Sequence, residues 1–411
     1  MAVLCTIIFF GCNTSDNQTP KTNELLVEGD WHLEFHISPT ISVPVDFTLE
    51  KNDSNAYIIQ FTNADEVVVM NPIEITGNNI QFRDKIFNTW FDGQILSPTE
   101  IKGKCFREDK ENVIPFTATQ GNKPRFPEPK KMSKAQPNIS GTWEVDFSKG
   151  TPDHYKAIGQ FHQVDNYVSG TFMTETGDYR FLEGNMYNNN LYLSCFDGSH
   201  IFLFKASFIN DVLQGNFWSG LRWEEPWAAI KNEKFKLSNP DSLTYLKDGF
   251  SSIEFRLPNT KGDTISLTDK KYNGKVVIVN IMGPWCPNCK DETAHLTELY
   301  NKFNSKGLEV IALSFDKTDD FEQSKESIQK IQQYFHSKYD FLIAGKANKI
   351  EASKTLPMFN QISAYPTTLF IDRKGNVRKI RTGFNGPGTG DQYKKYKADI
   401  EIFIQNLLSE K

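Results

Sequence analysis

Residues 275–282, Lys-Val-Val-Ile-Val-Asn-Ile-Met, form a largely β-branched apolar run without alternating polar positions. Such a run reads as a strand buried on both faces, which requires a sheet covered by helices. It stops at Gly283-Pro284, and Trp285-Cys286-Pro287-Asn288-Cys289-Lys290-Asp291-Glu292 follows, a CxxC opening a helix. That placement gives the two thiols different surroundings. Cys286 sits where unpaired backbone N–H groups and the helix dipole favour an anion, so it is expected to ionise below the free value of about 8.5. Cys289, one turn further in, is expected to be less exposed, to keep a higher pKa and to attack a mixed disulfide held by Cys286. The structural alternatives are half a zinc site or a buried disulfide. Zinc needs two more ligands, and neither a second CxxC nor a His-x-x-x-His pair is read as supplying them, so no metal is expected.

A second motif lies downstream, Ala364-Tyr365-Pro366-Thr367-Thr368-Leu369-Phe370-Ile371-Asp372. The strand into Trp285-Cys286-x-x-Cys289, Glu292 three residues later, and this proline motif together resemble a thioredoxin fold. Within that fold they are most similar to the TlpA/ResA-like branch of periplasmic thiol–disulfide oxidoreductases. The resemblance spans roughly the last 165 residues and implies an α/β domain, a central mixed sheet flanked by helices. It implies that Pro366 is cis and faces the CxxC, and that Trp285, Tyr365, Pro366 and Thr367 shape a client groove. It further implies that Cys286 attacks, Cys289 resolves and Glu292 exchanges the proton of Cys289. Thioredoxin itself carries a buried Asp six residues before its first Cys. Here that position is Asn280, which cannot be a base, and the TlpA/ResA-like branch likewise lacks the Asp and has a Glu after the second Cys. The other reading of Glu292 is a first-turn acid that stabilises the helix dipole. Pro287-Asn288 also departs from the x-Pro order more usual in thioredoxins.

Around these motifs, 253–257 and 264–267 read as a hairpin, 292–306 and 319–339 as helices, 308–315 and 341–344 as strands. An edge strand over 377–381 and a helix over 393–408 complete the expected domain. Segment 346–361 is extra, either shaping partner access or forming a solvated surface helix. The glycine-rich stretch 383–390 lacks the Lys-Ser/Thr of a phosphate loop and reads as a structural turn on the active-site side.

The chain before this domain reads differently. From 25 to about 230, short alternating runs are separated by Asn, Gly, Asp and Ser, a mostly antiparallel β pattern. Gly29-Asp30-Trp31 and Gly141-Thr142-Trp143, 112 residues apart, suggest two related units, at 25–120 and 139–237. These suit two small sandwiches or barrels, or one composite of both. Residues 121–138, rich in Pro and Lys, read as a semi-rigid linker, and 238–242 as a hinge that makes 238–411 separable. Trp90, Trp218, Trp223 and Trp227 are either a partner-binding face or core packing.

The first twelve residues are apolar, end in Gly11-Cys12 and precede a polar stretch, 13–24. They resemble a lipoprotein-type signal peptide, which implies acylation at Cys12, a flexible tether and a protein lipid-anchored on the periplasmic side of the envelope. The missing Lys or Arg before the apolar run departs from that pattern. Of the six cysteines, Cys105 and Cys195 then remain outside the redox pair, either bonded to each other or each buried as a small apolar residue. A net charge of −5 over 411 residues gives no reason to expect nucleic acid. The expected function is therefore an enzyme that reduces disulfides in client proteins, needing no cofactor beyond its dithiol and recharged by another redox protein. A thiol peroxidase is the rival enzyme, although the Thr-x-x-Cys setting it needs is missing. A binding lipoprotein using the β units is the rival of another class.

Overall fold

The computed structural model describes residues 25–107, 112–132 and 137–410. The expected leader 1–12 with Cys12, the tether 13–24 and part of the 121–138 linker lie outside the described residues.

The first β unit runs through β1 (Gly29–His36), β2 (Ser42–Lys51), β3 (Tyr57–Asn63), β4 (Glu66–Met70), β5 (Ile73–Thr76), β6 (Asn79–Arg83), β7 (Thr89–Ser97), β8 (Glu100–Arg107) and β9 (Ile114–Gln120). These form one antiparallel sheet in the order β4-β3-β2-β1-β9-β8-β7-β6-β5. Two residues join β4 to β5, yet these strands stand at opposite ends of that order, so the sheet must roll until its edges meet. The second unit closes fully. Strands β10 (Gly141–Phe147), β11 (Tyr155–Val164), β12 (Tyr167–Met173), β13 (Leu182–Tyr187), β14 (Asn190–Phe196), β15 (Ile201–Ile209), β16 (Val212–Ser219) and β17 (Trp223–Lys231) make a barrel sealed by β10 against β17.

Both units begin alike. Gly29 and Gly141 take φ near +114° and +115°, a region closed to most side chains. Two residues on, the Trp31 and Trp143 indoles each donate to a carbonyl four residues back, that of Val27 or Ile139. The barrel interior is filled by rings. Phe204 stacks on Phe172 and Phe217 at 4.5 and 4.3 Å, with Trp227 edge-on to Phe172 at 5.2 Å. Trp227 is thus core rather than a partner face, while Trp223 is 45% exposed.

The two units share a core, because Phe196 of the barrel packs among Phe35, Phe61 and Phe91 of the first sheet at 4.9–5.5 Å. The linker expected as a spacer is fastened between them. Phe126 is buried against Tyr192, and the buried Arg125 guanidinium bridges Asp46 and Glu183, one acid from each unit.

The last part contains β18 (Arg256–Pro258), β19 (Thr264–Ser266), β20 (Val276–Met282), β21 (Leu308–Asp316), β22 (Asp340–Lys346), β23 (Thr367–Ile371) and β24 (Val377–Thr382). Its helices are α1 (Pro287–Phe303), α2 (Phe321–Phe335), α3 (Lys349–Thr355) and α4 (Asp391–Ser409). The sheet order is β22-β21-β20-β23-β24, parallel across β21 and β22 and antiparallel across β23 and β24. Every residue of β20 is buried, as its unbroken apolar run requires. Val276, Ile278 and Met282 face the core shared with α1, α2 and α4. Val277, Val279 and Ile281 face a second core that takes in Ala352, Leu356, Met358 and Phe359. Segment 346–361 is therefore a lid on the sheet, not a solvated helix.

The expected hinge is not free either. Asp241 pairs with Lys379 at 3.0 Å and Arg381 at 3.6 Å, tying the entry segment to the outer strand β24. From the first unit, Ile86 and Phe87 enter the core around α1 on a turn held by the Asp84 carboxylate. The turn 383–390 makes a seam with the barrel, where Gly177 bridges Phe384 and the Gly386 N–H donates to Asp178. A fragment starting at 241 therefore loses part of its core. Phe87→Ala is expected to destabilise the full chain by about 3 kcal/mol in denaturant unfolding. The 241–411 fragment should melt below the full chain.

Candidate active site

The site is built on the junction between β20 and α1. Gly283-Pro284 ends the strand, and the Trp285 indole donates to the Phe315 carbonyl at 3.1 Å, pinning the turn to β21. Cys286 is the N-cap of α1, in extended backbone geometry, with Pro287 at the first helical position, where no N–H is needed. Its Sγ accepts the Cys289 N–H at 3.2 Å, the bond that a serine or aspartate side chain usually makes at a helix start. Cys286 is 7% exposed and Cys289 wholly enclosed, and both thiols are free. Burial holds the Cys289 thiol well above its ordinary pKa, and the neighbouring Cys286 adds to that.

The Tyr365–Pro366 peptide is cis, and the Tyr365 carbonyl lies 3.5 Å from Cys286 Sγ, so the proline loop faces the thiols. Trp285 and Tyr365 meet edge to face at 5.7 Å, and Lys317 stands 5.4 Å over the indole. Thr367 differs from its expected place in the groove. It is fully buried, and its hydroxyl donates to the Ala364 carbonyl at 2.8 Å, so its side chain shapes the loop from inside.

Behind the thiols lies a polar pocket. The Glu292 carboxylate, enclosed within α1, accepts from Asn280 Nδ2 at 2.6 Å and from the Thr368 hydroxyl at 2.8 Å. Asn280 also donates to Thr368 Oγ1 at 2.9 Å, and the two residues stand opposite each other across β20 and β23. The Tyr396 hydroxyl of α4 approaches Glu292 at 3.5 Å, with the Arg381 guanidinium 4.6 Å over its ring. Burial pushes the Glu292 carboxyl up to about 7, against the pull of those hydrogen bonds and of Arg381. Glu292 is therefore not a solvated first-turn acid but a buried group that changes charge near neutral pH. Sequence reasoning missed Thr368 and Tyr396. Thr368 was findable, since a polar residue facing Asn280 across two buried strands needs a partner. Tyr396 lies on the far helix and had no local signal.

The chain does hold a His-x-x-x-His pair that sequence reasoning passed over, His32 and His36, but it offers nothing to the CxxC. It lies on β1, engaged with Asp46, Ser42 and Thr117, and among the described residues no group of His, Cys, Asp and Glu is arranged to hold a metal. Cys105 and Cys195 are separate buried thiols, without a bond between them.

A CxxC at a helix N-terminus, a facing cis-proline loop and a five-stranded mixed sheet with flanking helices define a thioredoxin-fold dithiol protein. The profile of the AhpC/TSA family matches residues 250–380. The thiol-disulfide oxidoreductase ResA of Geobacillus kaustophilus (strain HTA426) is 30% identical over 135 residues, covering 33% of this chain and 69% of the relative. That of Bacillus subtilis (strain 168) is 28% identical over 138 residues, covering 34% and 69%. Among solved structures, a putative thiol:disulfide interchange protein DsbE from Chlorobium tepidum aligns at 22% identity over 40% of this chain and 100% of its own, with a TM-score of 0.31. A thiol-disulfide oxidoreductase from Bacteroides fragilis NCTC 9343 aligns at 20% identity over 36% and 99%, with a TM-score of 0.27. The chain belongs to the ResA family of thiol–disulfide oxidoreductases, with a β region preceding the part that the family profile covers.

Since the folded Glu292 value lies above its ordinary 4.5, the protonated form is favoured by folding. That contribution is complete below about 4.5 and lost as pH rises through about 7. Relative to Glu292→Gln, the unaltered chain should lose about 3 kcal/mol of stability between roughly pH 4 and pH 8. Paired denaturant titrations across that range measure the difference, which should vanish at the acid end.

Proposed function

We propose that this chain is an extracytoplasmic, membrane-tethered reductase of protein disulfides acting through Cys286 and Cys289. The observation that carries the reading is the graded placement of three groups along α1. Cys286 caps the helix at the site's rim, Cys289 is enclosed one turn in, and Glu292 lies one turn further with its own hydrogen-bonded pocket. The Cys286 thiolate attacks one sulfur of a client disulfide, forming a mixed disulfide and releasing the other client sulfur as a thiolate. Cys289 gives up its proton and attacks Cys286 Sγ, which releases the second client thiolate and leaves the Cys286–Cys289 disulfide. Glu292, poised near neutrality, accepts the proton as its carboxylate and returns it on re-reduction. Asn280 holds that carboxylate in place rather than titrating.

Trp285, Tyr365 and Pro366 form the groove in which the client's extended segment lies, using backbone groups beside the cis peptide. Two electrons per cycle come from another redox protein, and no cofactor is needed beyond the dithiol. Among the described residues no helix is long and apolar enough to cross a membrane. The tether is the lipid carried by Cys12, supported by the apolar run ending in Gly11-Cys12.

Cys289→Ser should accumulate a mixed disulfide with a disulfide-bonded client peptide, seen by non-reducing mass spectrometry, while Cys286→Ser should form none. The reverse pattern would reverse the two roles. In cells given a labelled fatty acid, the unaltered protein should take up label and Cys12→Ala should not.

A further inference from the structure

One side chain carries the barrel's charge to the redox site. Arg180, in the connection between β12 and β13, is 5% exposed and extends towards the first turn of α1. One terminal nitrogen donates to the Asp291 carboxylate and lies 3.4 Å from the carbonyl of Pro287, the residue immediately after Cys286. The other donates to Glu66 at the start of β4, and Nε faces Asp197, beyond β14, at 3.8 Å. A single guanidinium thus ties the first β unit, the barrel and the CxxC turn together. The surrounding loop repeats the contact. The Asp178 carbonyl accepts from Asn288 Nδ2 at 3.3 Å, and a side chain on Gly177 (φ +156°) would come within 2.0 Å of that amide. Both residues between the two cysteines are therefore in hydrogen-bond contact with the barrel.

We propose that Arg180 is a positioning residue of the redox site, fixing the first turn of α1 and thereby setting the reduction potential of the Cys286–Cys289 pair. The inference rests on the dithiol reading above and goes beyond it, because it makes the β region a determinant of the chemistry. The physical reason is charge at close quarters. Glu66, Asp197 and Asp291 crowd this junction, with Asp178 beside them, and the Arg180 guanidinium lies among them; on its outer side Asp197 is also held by His200 at 2.9 Å. Without the guanidinium, buried carboxylates are left next to the helix end that must stabilise a thiolate. The reduced form is then disfavoured and the disulfide gains.

The test is the equilibrium of the full-length chain with glutathione, in which two glutathione thiols supply two electrons and two protons. The products are the Cys286–Cys289 dithiol and one glutathione disulfide. Arg180→Met is expected to shift this constant at least tenfold towards the protein disulfide, about 30 mV more negative for a two-electron couple. Arg180→Lys, which keeps the charge, should stay within threefold of the unaltered chain. Circular dichroism checks that the barrel is intact. A folded Arg180→Met chain whose constant lies within twofold of the unaltered one overturns the proposal. Should that variant fail to fold, Asp291→Asn decides instead by removing the guanidinium's anionic partner on α1. A change of more than threefold supports the role, and a smaller one overturns it. If the unaltered chain does not equilibrate with glutathione at all, the dithiol assignment falls and this inference with it. Equilibration with unmoved variants removes the arginine's role alone.

Discussion

The start of α1 is the constraint on which the arrangement depends. A helix begins with backbone N–H groups that have no partner within it, and here the atom that takes one of them is the sulfur of Cys286. For that contact to hold, the chain must leave β20 at a fixed point and in a fixed direction. β20 is buried on both faces, and a slip of its register would carry the buried Asn280 amide away from Thr368 and Glu292. The Trp285 indole and the Phe315 carbonyl set the direction. The proline loop and the Asn280–Thr368 side of the polar pocket are then brought to the thiols by strand pairing, since Thr368 pairs with Asn280 in the ladder.

An enclosed carboxylate is costly unless hydrogen bonds compensate it, and among the described residues the donors at hydrogen-bond distance of Glu292 are all neutral. Those donors lower its pKa by less than burial raises it. The balance leaves the group near neutrality, where it exchanges protons readily in either direction. Had Arg381 paired with Glu292 directly, the carboxyl would be a fixed anion of little use for proton exchange. Its guanidinium lies instead over the Tyr396 ring and beside Asp241.

Much of the redox domain was legible because its signals are local. An unbroken β-branched run, a CxxC behind it and a Tyr-Pro-Thr-Thr strand are each contiguous, and the periodicity of 253–408 placed nearly every strand and helix within a few residues. The β region was legible as antiparallel structure but not as architecture. Whether alternating strands close into a barrel or roll as an open sheet depends on which distant strands pair, such as Trp143 with Lys231. The junctions were the least legible part. Pro-rich 121–138 and polar 238–242 have the composition of spacers, yet Arg125 and Asp241 turn them into ion-paired clamps. Ionic contacts between segments far apart in sequence leave no periodic trace, and Arg180 belongs to the same class.

Cys105 and Cys195 sit inside the β region, both enclosed, and burial raises both thiols above their ordinary pKa. A protonated, enclosed thiol is a poor nucleophile. An enzyme that cycles through mixed disulfides exposes every thiol within its reach to scrambling, its own included. A chain whose spare sulfurs are buried and protonated keeps such exchange pointed outward, and its scaffold stays out of the substrate pool.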